Sequence, residues 1–189
     1  MTVKQPQSWY EEIMTREWGR YSRGAYVQKD RTMVSMLKPH APKRVFEPCG
    51  AEGNLARMMV ESIPSIEEYV LSDFVNFAVQ KMTESLADFP QVRVMRIDID
   101  EEYAGIDFQR FDLFVCTSLE HLVHDREVLQ ALSSGTRVGL CLPNFGGKGH
   151  IHLFRSFEEI ESRYGDLIRI LESQECLHGT RRAIVAVRT

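Results

Sequence analysis

The feature that most constrains this chain is an alternation. Short apolar runs, at 44–49, 69–74, 92–99, 111–116, 137–142 and 183–187, are separated mostly by segments whose apolar residues recur at three- and four-residue steps. A strand that continues into a helix before the next strand returns parallel to the first, and its helix covers one face of the sheet. Another run near 167–172 lies close enough to 183–187 to form an antiparallel hairpin with it. The expectation is an α/β fold: a seven-stranded, mostly parallel sheet with an antiparallel last strand and helices on both faces.

The helical segments show how they begin, end and pack. Val75, Val79, Met82, Leu86 and Phe89 share one face until Pro90 stops the pattern. Val128, Ala131 and Leu132 repeat the device, with Asp125 expected to cap the start and Gly135 to end the helix. Ser156 with Glu159, and Ser8 with Glu11, have capping-box spacing. With 189 residues and 43% hydrophobic content, the chain suits one domain, residues 1–189, made of an N-terminal helical lid (1–40) and a core (43–189).

Charge and composition narrow the partners. Lys and Arg number 23 against 27 Asp and Glu, a net charge of −4, so no broad cationic face is expected and nucleic acid is not an expected partner. The opening MTVKQPQSWYEE lacks a signal-peptide core, and no apolar run approaches the ~20 residues of a membrane span, so a cytoplasmic protein without membrane association is expected. Cys49, Cys116, Cys141 and Cys176 have no paired spacing and are read as reduced, mostly core residues. No metal is expected, because the H-x-H pair at His150 and His152 has no fixed third ligand.

In open parallel sheets, ligands bind beyond the carboxyl ends of the strands. The stretch PKRVFEPCGAEGNLARMM (42–59) is such a place, a strand that enters a small-residue turn and then a helix near Asn54. Gly50, Ala51 and Gly53 admit a ligand close to the backbone, and the helix start adds free N–H groups. Twenty residues after Gly53, Asp73 ends the second strand, at the spacing of a ribose-binding acid. A nicotinamide enzyme would need three glycines to approach a pyrophosphate, whereas here the turn reads GAEG and follows an acid, Glu47. Negative charge at that point repels a pyrophosphate and attracts a sulfonium or ammonium, which favours a cationic nucleoside cofactor over NAD.

From about residue 43 onward the ordered motifs resemble those of the class I S-adenosylmethionine-dependent methyltransferases. VFEPCGAEGN resembles their first motif, Asp73 their ribose-binding acid, and RIDID (96–100) the segment bordering adenine. FDLFVCTSLEHL (111–122), with Leu119, Glu120 and His121, and GLCLPN followed by HIHLF (139–154) resemble the ubiquinone-type small-molecule branch. The resemblance implies a Rossmann-like methyltransferase fold and S-adenosylmethionine as cofactor. It places Glu47, Gly50, Gly53, Asn54, Asp73, Phe74, Asp98, Ile99 and Thr117 around that cofactor. Cys49 and Ala51 stand where the common motif has glycines. Thr117-Ser118-Leu119-Glu120 is unlike the Asn/Asp-Pro-Pro segment of the DNA adenine enzymes, which disfavours that substrate class.

The implied activity is O- or N-methylation of a small-molecule acceptor. Methyl transfer to oxygen usually needs a base, and His121, His150 and His152 are the candidates, the last two on the loop FGGKGHIH. The N-terminal segment is rich in aromatics, with Trp9, Tyr10, Trp18, Tyr21 and Tyr26, and is read as a lid from which Tyr21 and Arg23 reach the methionine carboxylate. The acceptor pocket is expected from this lid, the 145–152 loop or a second subunit in a homodimer. A non-catalytic S-adenosylmethionine-binding subunit and an NAD-dependent oxidoreductase are the rival readings.

Overall fold

The computed structural model describes residues 4–20, 22–146 and 149–189. The strands are β1 (Arg44–Glu47), β2 (Glu68–Asp73), β3 (Val92–Arg96), β4 (Leu113–Cys116), β5 (Arg137–Pro143), β6 (Ile168–Cys176) and β7 (Arg181–Arg188). They form one sheet in the order β3-β2-β1-β4-β5-β7-β6. β1 to β5 run parallel, while β7 is antiparallel to both β5 and β6. This is the expected sheet, with its order reversing between β1 and β4.

The helices are α1 (Gln7–Glu17), α2 (Ala25–Leu37), α3 (Asn54–Ser62), α4 (Asn76–Ser85), α5 (Ile99–Glu102), α6 (Asp125–Ala131) and α7 (Phe157–Tyr164). Alternation along each strand divides the apolar side chains between two cores. Val45, Leu71, Val115, Cys141 and Val185 face a core closed by Met14 of α1, Met33 and Leu37 of α2, Leu55 and Met59 of α3, and Ala78 and Met82 of α4. Phe46, Val70, Phe114, Leu140 and Ile184 face the other, with Val128 and Leu129 of α6 and Ile160 and Tyr164 of α7. Helix α2 is therefore a core layer over most of its length, with Met33, Val34, Met36 and Leu37 buried against the sheet.

Two expected caps are built differently. Helix α1 starts after Pro6 without a side-chain cap from Ser8. Glu11 instead accepts from the backbone N–H of Asn76 (2.8 Å) and Phe77 (3.3 Å), capping α4 from another helix. Asp125 lies inside the first turn of α6, whose N-cap is His124. Its carboxylate takes hydrogen bonds from Arg163 (2.7 Å from Nε to Oδ2) and the Tyr164 hydroxyl (2.5 Å). The reason is burial: a carboxylate facing the core needs a cation more than a helix start needs a cap. Ser156 does cap α7, accepting from the Glu159 N–H. The four cysteines are free thiols, with Cys141 and Cys176 Sγ 3.6 Å apart. Among the described residues, no helix is long and apolar enough to cross a membrane.

Candidate active site

A cavity of about 490 Å³ opens over the carboxyl ends of β1, β2 and β4, with α1 as its cover. The size lies in the range of small-molecule sites. One wall is the turn from β1 into α3. Cys49 (φ 58), Ala51 (φ 51) and Gly53 (φ 73) all have left-handed backbone. The chain thus keeps a glycine-type path at two positions where it carries side chains, at roughly 1–2 kcal/mol each. Gly50 needs its glycine for another reason: a Cβ there would lie 2.2 Å from Leu71 Cδ1. The turn is tied to β2, because Gly50 N–H donates to Ser72 O (2.9 Å) and Ala51 N–H to Asp73 Oδ2 (3.1 Å).

Asp73 also accepts from Val75 N–H (3.0 Å), and burial raises its pKa to about 6 despite these bonds. Next to it Phe74 meets Tyr10 edge-on, with ring centroids 5.1 Å apart. Asp98 caps α5 and pairs with Lys4 Nζ at 3.1 Å, and Ile99 follows it on the cavity wall. Glu47 is buried at the end of β1, hydrogen-bonded by the Tyr69 hydroxyl, and burial pushes its pKa up to about 8. Burial therefore favours the neutral form of Glu47 at pH 7, where the sequence suggested a standing negative charge.

The opposite wall is side-chain chemistry. His121 Nδ1 lies 2.9 Å from Gly149 O, and His150 Nδ1 lies 3.2 Å from Phe145 O. A carbonyl only accepts, so both Nδ1 atoms carry the proton and both Nε2 atoms present a lone pair. The rings meet edge-on at 4.8 Å. Burial lowers the His121 pKa to about 4 and lowers that of His150 as well, which keeps both neutral. Behind them Glu120 is fully buried, with Arg181 Nη2 3.1 Å from its Oε1.

The structure brings Glu47, Gly50, Asn54, Asp73, Phe74, Asp98, Ile99, Thr117, His121 and His150 to one cavity. Gly53 stands just behind, as the N-cap of α3. His152 is elsewhere: its Nε2 lies 3.0 Å from Leu122 O and 3.3 Å from Asp125, in the buried knot below α6. Its position in the H-x-H pair turns it to the other side of the chain from His150, away from this cavity and into a shallower one with Arg126, Phe154 and Arg163. Arg23 is exposed and off the cavity. Tyr21 lies outside the described residues, as do Gly147 and Lys148 of the 145–152 loop.

Sequence reasoning missed Lys29, Glu52 and Arg181. Lys29 Nζ is buried in the cavity wall, 3.1 Å from Thr117 Oγ1 and 3.2 Å from Asp30. A signal was available, since Lys29 occupies the stripe that continues as Met33 and Leu37, where a lysine has no packing reason to be. Glu52 accepts from Gly19 N–H (2.8 Å) and from Ser22 Oγ, holding the α1–α2 connection over the glycine turn. Nothing local in the sequence marks Arg181.

No protein-family model and no curated protein matches this chain in sequence. Solved structures do match. The N-methyltransferase NodS of Bradyrhizobium japonicum WM9, in complex with S-adenosyl-L-homocysteine, superposes with a TM-score of 0.75 at 13% identity, over 94% of this chain and 97% of that one. The putative methyltransferase of Haloferax volcanii, complexed with the Trm112 activator, gives 0.75 at 12%, over 97% of each chain. Human N-acetylserotonin methyltransferase with S-adenosylmethionine gives 0.67 at 11%, over 97% of this chain and 56% of that one. The fold is the Rossmann-like fold of these methyltransferases.

Proposed function

We propose that this chain is an S-adenosylmethionine-dependent methyltransferase acting on an oxygen or nitrogen of a small-molecule acceptor. The observation that carries the reading is one cavity with two unlike walls. The left-handed turn at 49–53, followed by Asp73 and Asp98, suits a nucleoside. Across from it, His121 and His150 offer two neutral imidazole nitrogens. The fold shared with methyltransferases that bind S-adenosylmethionine or S-adenosylhomocysteine supports the same cofactor here.

In this reading Asp73 accepts from the ribose hydroxyls, and Phe74, Asp98 and Ile99 border adenine. Glu47 lies toward the methionine end, and Lys29, with Thr117, takes the carboxylate role expected of Tyr21 and Arg23. The sulfonium supplies an activated methyl group. The chain's task is to hold the acceptor in line with it at ~3–3.5 Å and to keep water out under α1. Bound there, S-adenosylmethionine would give its methyl carbon to the acceptor's oxygen or nitrogen and leave, with its C–S bond broken, as the neutral thioether. The acceptor proton passes to an imidazole Nε2, either of His150 or of His121. Trp9, Tyr10 and Ile13 on the cover give the acceptor side an apolar and aromatic lining, which suits a small organic molecule.

The test is S-adenosylhomocysteine binding to the wild type and to Asp73→Ala. Loss of buried hydrogen bonds to a carboxylate should weaken binding ~10-fold or more. Equal affinities in a folded variant would remove Asp73 from the site and the nucleoside reading with it.

A further inference from the structure

Glu120, His121 and His150 each place one potential ligand atom within 4.8 Å of the other two. His121 Nε2 is 3.9 Å and His150 Nε2 3.8 Å from Glu120 Oε1. Both nitrogens carry lone pairs, because their Nδ1 atoms are committed to the carbonyls of Gly149 and Phe145. Backbone acceptors of this kind are what fixes the tautomer and aim of metal-ligating histidines. The carboxylate adds a second, independent sign. Glu120 is fully buried, Arg181 engages its Oε1, and its Oε2 has no hydrogen-bond partner among the described residues. The oxygen nearest the imidazoles is the Oε1 that Arg181 holds, and a cation shared by both carboxylate oxygens would also give the costly, partnerless Oε2 a partner.

We propose that Glu120, His121 and His150 bind one divalent transition-metal ion on the acceptor wall of the cavity. Two imidazoles and one carboxylate form the donor set of catalytic zinc and non-haem iron sites, which leave coordination positions open. Ligands bonded at ~2.0–2.2 Å to one ion stand ~3–3.5 Å apart, so closure by on the order of 1 Å brings the three atoms into range. His121 and His150 line the cavity while Glu120 stands behind them, which turns the open positions toward the acceptor. The ion there takes the acceptor's oxygen as a ligand and lowers its pKa. The proton goes to bulk solvent, the metal-bound oxygen attacks the methyl carbon, and the C–S bond breaks to release the thioether. In this form the histidines are ligands and the ion replaces the imidazole base. The inference takes from the proposed function only the position of the acceptor.

Binding of Zn2+ alone tests it without any methyl transfer. The full chain, freed of metal with a chelator and dialysed, is titrated with Zn2+ by calorimetry at pH 7.5, and with Co2+ followed by its visible absorption. One ion per chain with a Kd below about 10 µM is expected. Glu120→Gln, His121→Ala and His150→Ala should each weaken binding about 100-fold or more, and His152→Ala should leave it within about 3-fold. Circular dichroism shows whether each variant is folded, and Glu120→Gln keeps an oxygen for Arg181. A wild-type Kd above about 10 µM, or wild-type affinity in folded His121→Ala and His150→Ala, overturns the site. Zinc binding without S-adenosylhomocysteine binding would sink the proposed function and leave the metal site standing; the converse would do the reverse.

Discussion

The two walls of the cavity are made in opposite ways. On the β1–β2 side the surface rests on backbone: left-handed residues at 49, 51 and 53, and carboxylates placed near strand ends. On the β4–β5 side it rests on side chains, with the Glu120–Arg181 pair behind two imidazoles whose protons are fixed by loop carbonyls. A backbone-built wall tolerates side-chain change as long as the path is kept, which is how Cys49 and Ala51 replace glycines there. A side-chain-built wall fails when one group is removed. Substitutions on the two sides should therefore have different signatures.

The largest effect should come from the side-chain wall. His150→Ala should lower turnover ~100-fold or more, about 2.7 kcal/mol of barrier, with S-adenosylmethionine affinity within about 2-fold. Steady-state kinetics and cofactor titration on the same protein check this, and a parallel loss of affinity would erase the distinction between the walls. His152→Ala sharpens it from outside. Its loss should lower the unfolding temperature through the Asp125 knot and leave cofactor affinity unchanged.

A smaller effect is expected at Glu47. Its folded pKa, about 8, lies above the ordinary carboxylate value, so its burial favours folding most below pH ~4 and costs stability as pH rises toward 8. Glu47→Gln keeps an oxygen for the Tyr69 hydroxyl and removes that cost. Urea denaturation should find the variant more stable than wild type at pH 8–9, by on the order of 2 kcal/mol, with the gap closing at pH 4–5. The same shift predicts proton release on S-adenosylmethionine binding at pH 7, because the cation draws Glu47 into its charged form. Calorimetry in buffers of different ionisation enthalpy measures it, and buffer-independent heats would mean that Glu47 does not face the cation.

The smallest effect belongs to the backbone wall. Ala51→Gly relieves a left-handed alanine at the expense of unfolded-state entropy, for a net gain of about 0.5–1 kcal/mol. Thermal unfolding reads it. A loss instead would mean that the Ala51 methyl packs on something the turn depends on.

The legibility of the site in the sequence follows the same division. The strand–helix alternation, the antiparallel end of the sheet and the glycine turn were readable because period and spacing are local properties, and the same spacing put Asp73 and Asp98 on the cavity wall. The role of α2 as a core layer was hidden because its apolar stripe carries Lys29, so a core helix and a lid look alike in sequence. His150 and His152 were inseparable for a local reason too: two residues apart, one faces the cavity and the other the Asp125 knot, and only their tertiary contacts tell them apart. Glu120 and Arg181 are 61 residues apart, and no periodicity links them.

The most direct test of the account is calorimetric titration of the wild-type chain with S-adenosylhomocysteine and, separately, with NAD. The account predicts one S-adenosylhomocysteine bound per chain in the micromolar range or tighter, ~8 kcal/mol or more of binding free energy, and no heat from NAD. Binding of NAD, or no binding of S-adenosylhomocysteine to folded protein, would contradict it.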